Sequence, residues 1–470
     1  MSLTSQQIVD ALAGLVGAGS LIADPGRMAN YLNEPRKRFH QTAVAVALPG
    51  SVTEVQAIAR WANDNSVGLI PQGGNTGLVG AQVPLSGREV IMSLARLNAV
   101  REVDAEAGHM TVEAGLTLQE AHQAAEAAGA MFPLWIASQG SARIGGVLSS
   151  NAGGVQVLAF GNARELCLGV EAVLADGRLY RGLNALKEDN TGYDLKDLLV
   201  GAEGTLGIIT AATLKLFPPP EAQETAICNV ESPAAALKLF YAIRGRTGSR
   251  LTAFELVPWL GLDIQLRHRM LDRDPTAGKS PWYVVVEVNR MKGGAPGALQ
   301  EALEAAFGAG LVTDAVVAES EGDRARMWAF REQMSECQSR EGASIKHDVS
   351  VPIAAVPELI EAGSAAVERL VPGTRPCAFG HMGDGNVHFN FSQPVGADPK
   401  AFIAGEEPVH EVIYEEVLRL GGSVSAEHGI GQLKRELLQQ VKDPVALAMM
   451  RSIKQALDPN GIMNPGKLLD

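Results

Sequence analysis

Apolar positions recur at helical spacing in "SQQIVDALAGLVGAG", residues 5 to 19, and predict an amphipathic helix. Gly14, Gly17 and Gly19 loosely imitate a nucleotide-binding glycine pattern. No strand precedes them and the spacing is wrong, so a helix end is the better account. From residue 44 the pattern becomes strand, helix, strand: "VAVALP", "SVTEVQAIARWANDNS", "GLIPQGG". Ser51 or Thr53 can cap that helix, with Glu54 three residues after Ser51 completing a capping box. Two more strands, "EVIMSL" and "HMTVEAG", precede a helix that begins near Thr117. Residues 165 to 181 read as two strands joined by an Asp176-Gly177 turn. "GTLGIITAATLKLFPPP" ends in Pro218 to Pro220, which cannot continue a strand and mark a boundary.

Beyond residue 221, strands such as "YVVVEVN" alternate with helices such as "GALQEALEAAFGAG". "MWAFREQMSECQSR" reads as one helix, followed by the strand-like "ASIKHDVSVP" and the helix "VPELIEAGSAAVERL". A last helix is expected over roughly residues 439 to 456, then a tail, "DPNGIMNPGKLLD". The chain is 470 residues long, so two or three domains are expected. The pattern is α+β, without the regular βαβ cadence of a doubly wound sheet.

Charge and cysteine usage narrow the function classes. Net charge is −13 and Lys and Arg form no long run, which disfavours a nucleic acid partner. Cys167, Cys228, Cys337 and Cys377 lie far apart and form no CxxC, so a reducing, cytoplasmic setting is expected. No apolar run approaches membrane-spanning length, and "MSLTSQQIVD" lacks the charge and apolar regions of a secretory signal. Peripheral attachment to a membrane through a redox partner stays open.

Three glycine clusters carry the first chemical signal: "PQGGNTGLVG" (71 to 80), "GSARIGGVLSSNAGG" (140 to 154) and "GAEGTLGIIT" (201 to 210). Gly73 and Gly74 admit backbone angles closed to other residues and let a ligand lie against the chain. Consecutive N–H groups there can form an anion-binding nest. None of the clusters matches GxxxxGK[ST], which disfavours a P-loop NTPase. Together they suit a dinucleotide extended across loops, its pyrophosphate against backbone amides.

With "KEDNTGYDLKDLLVGAEGTLGIIT", "FGHMGDGNVHFN", "SAEHGIG" and "DPNGIMNPGKLL", these clusters make the chain resemble the FAD-linked D-2-hydroxy acid dehydrogenases. That family lies within the vanillyl-alcohol oxidase / p-cresol methylhydroxylase superfamily. The resemblance runs from about residue 30 to the end and is strongest to members that oxidise D-2-hydroxyglutarate. It implies a two-part FAD-binding domain over residues 1–220, an α+β substrate domain over 221–424, and a segment, 425–470, completing the flavin and metal site. Pro71, Gly73, Gly74, Asn75, Thr76 and Gly77 would hold the pyrophosphate. Ser138, Gly145, Asn151 and Gly153 would face the ribityl chain and ring. Glu203, Gly204 and Ile208 would line the adenine or ribityl side, and Asn464 the ring system. Members with covalent flavin often carry a histidine in the first glycine loop. Asn75 stands there in this chain, so non-covalent FAD is expected.

"HMGDGNVHFN" by itself can be read as a metal site, a phosphate loop or a tight turn. His381 and His388 flank a stretch able to bring the second ring beside the first. Two neutral imidazoles and the Glu427 carboxylate suit a divalent ion, zinc first and manganese or cobalt next. The family's metal ligands fall on these three positions. Asp384, between two glycines, reads as a turn former. His40, His109, His122, His268 and His410 have no supporting pattern. An imidazole beside a polarised hydroxyl can take its proton at neutral pH, and the family assigns that base to His428. Arg331 and Ser335 are four apart and would share a helix face, although an exposed ion pair of Arg331 with Glu332 or Glu336 is the plainer alternative. The resemblance places the substrate's distal carboxylate on Arg331, Ser335 and Lys346, with Asn390 near its hydroxy-acid end. It implies oxidation of a D-2-hydroxy dicarboxylic acid, D-2-hydroxyglutarate before D-malate, with electron-transfer flavoprotein or a quinone as acceptor, in a homodimer. D-lactate or glycolate oxidation is the nearest alternative. A non-catalytic flavin subunit of a redox complex is the alternative of another class.

Overall fold

The computed structural model describes residues 3 to 469 and forms two compact units. Met1–Gly154, Gly161–Pro219 and Glu427–Asp470 make the first; Val155–Phe160 and Pro220–Ala426 make the second. Among the described residues no helix is long and apolar enough to cross a membrane.

The first unit holds two sheets. One has four strands in the order Leu21–Ile22, Ala45–Ala47, Val90–Ser93, Leu69–Gln72, the last three parallel. Helix Val52–Asn65 connects two of them and buries Val55, Ile58, Ala59 and Ala62, one stripe at helical spacing. Ser51 caps it, accepting from the Glu54 amide at 3.2 Å. The expected box is only half made, because the Glu54 carboxylate accepts from the Gly50 amide at 2.6 Å instead. The C-terminal tail runs beside the edge strand: Leu69 N–H donates to Ile462 O, and Asn464 N–H to Leu69 O, both at 2.8 Å. The second sheet is antiparallel, in the order Val100–Asp104, His109–Glu113, Ile208–Lys215, Cys167–Val173, Leu179–Gly182. Its last two strands turn through Gly177 at φ 79.

The second unit is built on an eight-stranded antiparallel sheet. Helices cover both faces. Along the central strand Trp282–Arg290, Val284, Val286 and Val288 enter one core and Tyr283 and Val285 the other. Burial on both sides explains why Tyr283 to Val286 in this strand read as a continuous apolar run. Helix Val157–Phe160 belongs to this unit, with Leu158 against its larger core, although the sequence places it within residues 1–220. The helix expected over 439 to 456 is two, Arg435–Val441 and Pro444–Leu457. Pro444 has no N–H to continue the first, and Asp443 caps the second by accepting from the Ala446 amide at 2.9 Å.

Candidate active site

In the first unit the three glycine clusters wall one cavity. Pro71, Gly73, Gly74, Asn75, Thr76, Gly77, Gly145, Glu203, Gly204 and Ile208 all line it. The left-handed residues of the first loop are Asn75 (φ 56) and Gly80 (φ 77), not Gly73 or Gly74. Gly74 is needed for closeness: a Cβ there would fall 1.9 Å from the Ser141 carbonyl oxygen. The amides of Gly74 to Gly77 donate to no group among the described residues, leaving a row of donors suited to an anion. The side-chain oxygens of Asn75 and Gln82 are buried there without a protein partner among the described residues, as a cradle for a polar ligand requires.

Four expected flavin contacts stand elsewhere. Ser138 turns the chain into the helix Ile144–Ser149, its carbonyl accepting from Ser141 and Ala142. Asn151 (φ 49) lies just past that helix, its side chain accepting from the Arg164 amide at 2.9 Å. Neither they, nor Gly153, nor Asn464 line the cavity. Asn464 is a tie, donating to Ala81 O at 3.0 Å and Glu203 O at 2.6 Å. Gln82, Arg143 and Gly146 line the cavity without having been expected. All three sit inside or beside the quoted clusters, and proximity was their only signal.

His428 also lines this cavity. The segment after it is held by Glu203, whose carboxylate accepts the amides of Ile430 and Gly431, each at 2.7 Å. Burial raises the Glu203 carboxyl above its ordinary value despite those two donors. Glu203 thus touches the cavity wall and fixes the backbone that follows His428.

In the second unit, strands Arg375–His381 and Asn386–Ser392 pair antiparallel, with Phe379 opposite His388. The intervening turn brings the His381 and His388 rings to a centroid distance of 5.5 Å. Asp384 has the expected turn role, accepting from the Asn386 amide at 3.0 Å, and burial pushes its carboxyl up to about 6. Ala426 N–H donates to Asp348 O at 3.3 Å, anchoring the residue before Glu427. One ligand atom from each of His381, His388 and Glu427 lies within 4.8 Å of the others, a spacing and donor set that fit a divalent cation.

The same sheet supplies support for these rings. Strand Leu251–Pro258 pairs with Arg375–His381 so that Glu255 stands opposite His381. Glu255 Oε1 is 2.8 Å from His381 Nδ1, and Oε2 accepts from Arg331 Nε at 2.7 Å. Burial would raise the Glu255 carboxyl, but the His381 ring and the Arg331 guanidinium overcome it and hold it ionised, at about 2. Arg331 is 7% exposed and also lies over the Phe379 ring. It pairs with neither Glu332 nor Glu336. Ser335 does not share its helix: Glu321–Glu332 ends, and exposed Ser335 lies in the first turn of Met334–Arg340. Gln265 Nε2 donates at 2.9 Å to the Phe330 carbonyl, which a continuous helix would offer to Met334. Lys346 is half-buried between strands Ser344–Ile345 and Asp348–Ser350. Asn390 shares a strand face with His388 and donates to Gln338 Oε1 at 2.7 Å.

Two family models cover this arrangement: an FAD binding domain over residues 43–182, and the C-terminal domain of FAD linked oxidases over residues 219–468. The chain belongs to the FAD-linked oxidases. It is 37% identical to a D-2-hydroxyglutarate dehydrogenase of Xanthomonas citri pv. viticola, over 100% of this chain and 96% of the relative. It is 36% identical to the mitochondrial D-2-hydroxyglutarate dehydrogenase of Bos taurus, over 100% and 84%. Its fold is that of p-cresol methylhydroxylase, with a TM-score of 0.80 at 17% identity over 99% of this chain and 97% of that one. This FAD-linked oxidase therefore has the vanillyl-alcohol oxidase type of α+β flavin domain, binds FAD and oxidises a D-2-hydroxy acid. The cytoplasmic placement is corrected by relatives whose names call them mitochondrial, those of Bos taurus, Danio rerio and Rattus norvegicus among them. Scattered reduced cysteines report redox conditions and do not tell one reducing compartment from another.

Proposed function

We propose that this oxidase converts a D-2-hydroxy dicarboxylic acid, D-2-hydroxyglutarate first and D-malate next, to its 2-oxo acid. The observation carrying this reading is the buried Arg331 guanidinium. Its Nε is held by Glu255, while its terminal nitrogens have no hydrogen-bond partner among the described residues. A guanidinium whose terminal nitrogens are unpaired favours a substrate with a second carboxylate over D-lactate, which has none to offer them. In this reading Lys346 and Ser335 would join Arg331 on the distal carboxylate, and Asn390 would stand near the hydroxy-acid end. The names of the Xanthomonas and Bos taurus relatives agree with this choice.

When bound, FAD supplies the hydride acceptor, and a divalent ion, zinc by ligand type, supplies charge that acidifies the substrate hydroxyl. His381, His388 and Glu427 would hold that ion. His428 takes the hydroxyl proton on its imidazole. The amides of Gly74 to Gly77 would seat the pyrophosphate.

Replacing Arg331 with alanine tests the substrate assignment. Kcat/KM for D-2-hydroxyglutarate is expected to fall about tenfold to a hundredfold, from the loss of a charge-assisted hydrogen bond worth about 1.5–3 kcal/mol. D-lactate turnover should fall far less. Equal losses on both acids would remove the dicarboxylate assignment.

The flavin is non-covalent in this reading, since Asn75 offers no nucleophile and its side-chain N–H donates to Asn30 O and Asn33 O at 3.2 and 3.0 Å. Acid precipitation of the wild type should release a yellow supernatant, and Gly74→Ala, whose Cβ meets the Ser141 carbonyl, should release little FAD per folded chain. Colour retained in the wild-type pellet would reject non-covalent binding, and full FAD in the alanine variant would reject the cradle. Electron-transfer flavoprotein or a quinone would reoxidise the flavin; turnover with dioxygen alone at the rate seen with these acceptors would argue against both.

A further inference from the structure

We propose that Glu255 is a positioning residue shared by two halves of the site: it orients His381 for its metal ion and Arg331 for the substrate's distal carboxylate. This rests on the ligand and substrate roles given above for those two residues.

The geometry is specific. Glu255 is 1% exposed and on a central strand, so its carboxylate has no water to turn to. Each oxygen serves a different partner: Oε1 the His381 Nδ1 at 2.8 Å, Oε2 the Arg331 Nε at 2.7 Å. The Glu255 oxygen 2.8 Å away accepts a hydrogen from Nδ1, the tautomer that a ligating histidine needs. Nε2 is thereby left as the lone pair for a cation, and a carboxylate behind the ring strengthens it as a donor. On the other side, engaging Nε sets the plane of the guanidinium over Phe379 and leaves its terminal nitrogens for an anion. On the second histidine, His388 Nδ1 is 3.7 Å from Asp348 Oδ1.

Glu287 provides an internal control. It is 1% exposed in the same sheet and its carboxylate accepts from Thr225, Arg324 and Trp328, none of them a proposed ligand. A carboxylate needed only to satisfy buried donors would behave like Glu287.

The test is zinc affinity of the full-length, FAD-loaded chain after chelation, read by competition between Zn2+ and a chromophoric chelator. Glu255→Gln turns one of the two acceptor oxygens into an NH2 donor, so one of the two partners meets a donor where it needs an acceptor. It is expected to lose about tenfold to a hundredfold in zinc affinity, the usual consequence of removing a partner behind a ligating histidine. Its KM for D-2-hydroxyglutarate should rise more than its KM for D-lactate. Adding Arg331→Met removes the competing donor, so zinc affinity of E255Q/R331M should return toward the wild type, while E287Q should bind zinc as the wild type does. Should E255Q not yield folded flavoprotein, Glu255→Asp keeps the charge but withdraws it from the ring, and should weaken zinc as well. Wild-type zinc affinity in whichever of these two variants folds would overturn the proposal and leave Glu255 as a neutralising charge. Absence of any divalent-ion binding by the wild type would instead overturn the metal reading itself, and this role with it.

Discussion

His428→Asn should slow flavin reduction by every D-2-hydroxy acid by about 100- to 10,000-fold, the range lost when a positioned general base is removed. Asparagine keeps a polar side chain of similar reach but cannot take a proton at neutral pH. The expected loss is uniform across D-2-hydroxyglutarate, D-malate and D-lactate, because all three must surrender the same hydroxyl proton. That uniformity separates His428 from Arg331, whose loss should be selective. Retained FAD absorbance would show the cavity intact, as expected while Glu203 still holds the amides of Ile430 and Gly431. Rapid-mixing measurement of flavin bleaching decides the matter, and an unchanged rate would remove His428 from the chemistry.

His388→Ala should strip the divalent ion and lower turnover on the order of a thousandfold. A Lewis acid contributes several kcal/mol of charge stabilisation, and each ~1.4 kcal/mol is a factor of ten in rate. Chelation of the wild type should reproduce the loss, and added zinc should reverse it there but not in the variant. FAD content should be unaffected in both, because the cavity-lining residues contributed by the three glycine clusters do not include either histidine. Elemental analysis identifies the ion. Full turnover in a preparation shown to be metal-free would end the metal assignment.

Two parts of this site were legible because they are local. Glycine clusters beside strands announce close backbone approach, and Gly74 against Ser141 shows that approach. The seven-residue spacing of His381 and His388 announces a strand turn that brings rings together, and their centroids are 5.5 Å apart. Both features depend on a few consecutive residues whose backbone choices are narrow. Boundaries that depend on distant partners were less legible. Nothing between residues 327 and 340 says that Gln265 will take the Phe330 carbonyl and divide the helix between Arg331 and Ser335. Pro444, by contrast, was a visible breaker inside an expected helix.

What the sequence by itself determined is the flavin-binding class, the order of strands and helices around the glycine clusters, and the donor set of two histidines and a glutamate. Only the tertiary structure decided what stands behind those donors. Glu255 lies 126 positions from His381 and is one more polar residue in a mostly apolar strand. Strand register alone sets it opposite the ring. Helix packing on the sheet alone brings Arg331 to its other oxygen, and burial makes both contacts strong by excluding the water that would otherwise compete. Likewise Asn464 and Glu203 read as flavin contacts in sequence, yet folding sets one as a tie and gives the other the segment after His428 to hold. A motif specifies which groups are present; long-range pairing and exclusion of water specify which of them meet.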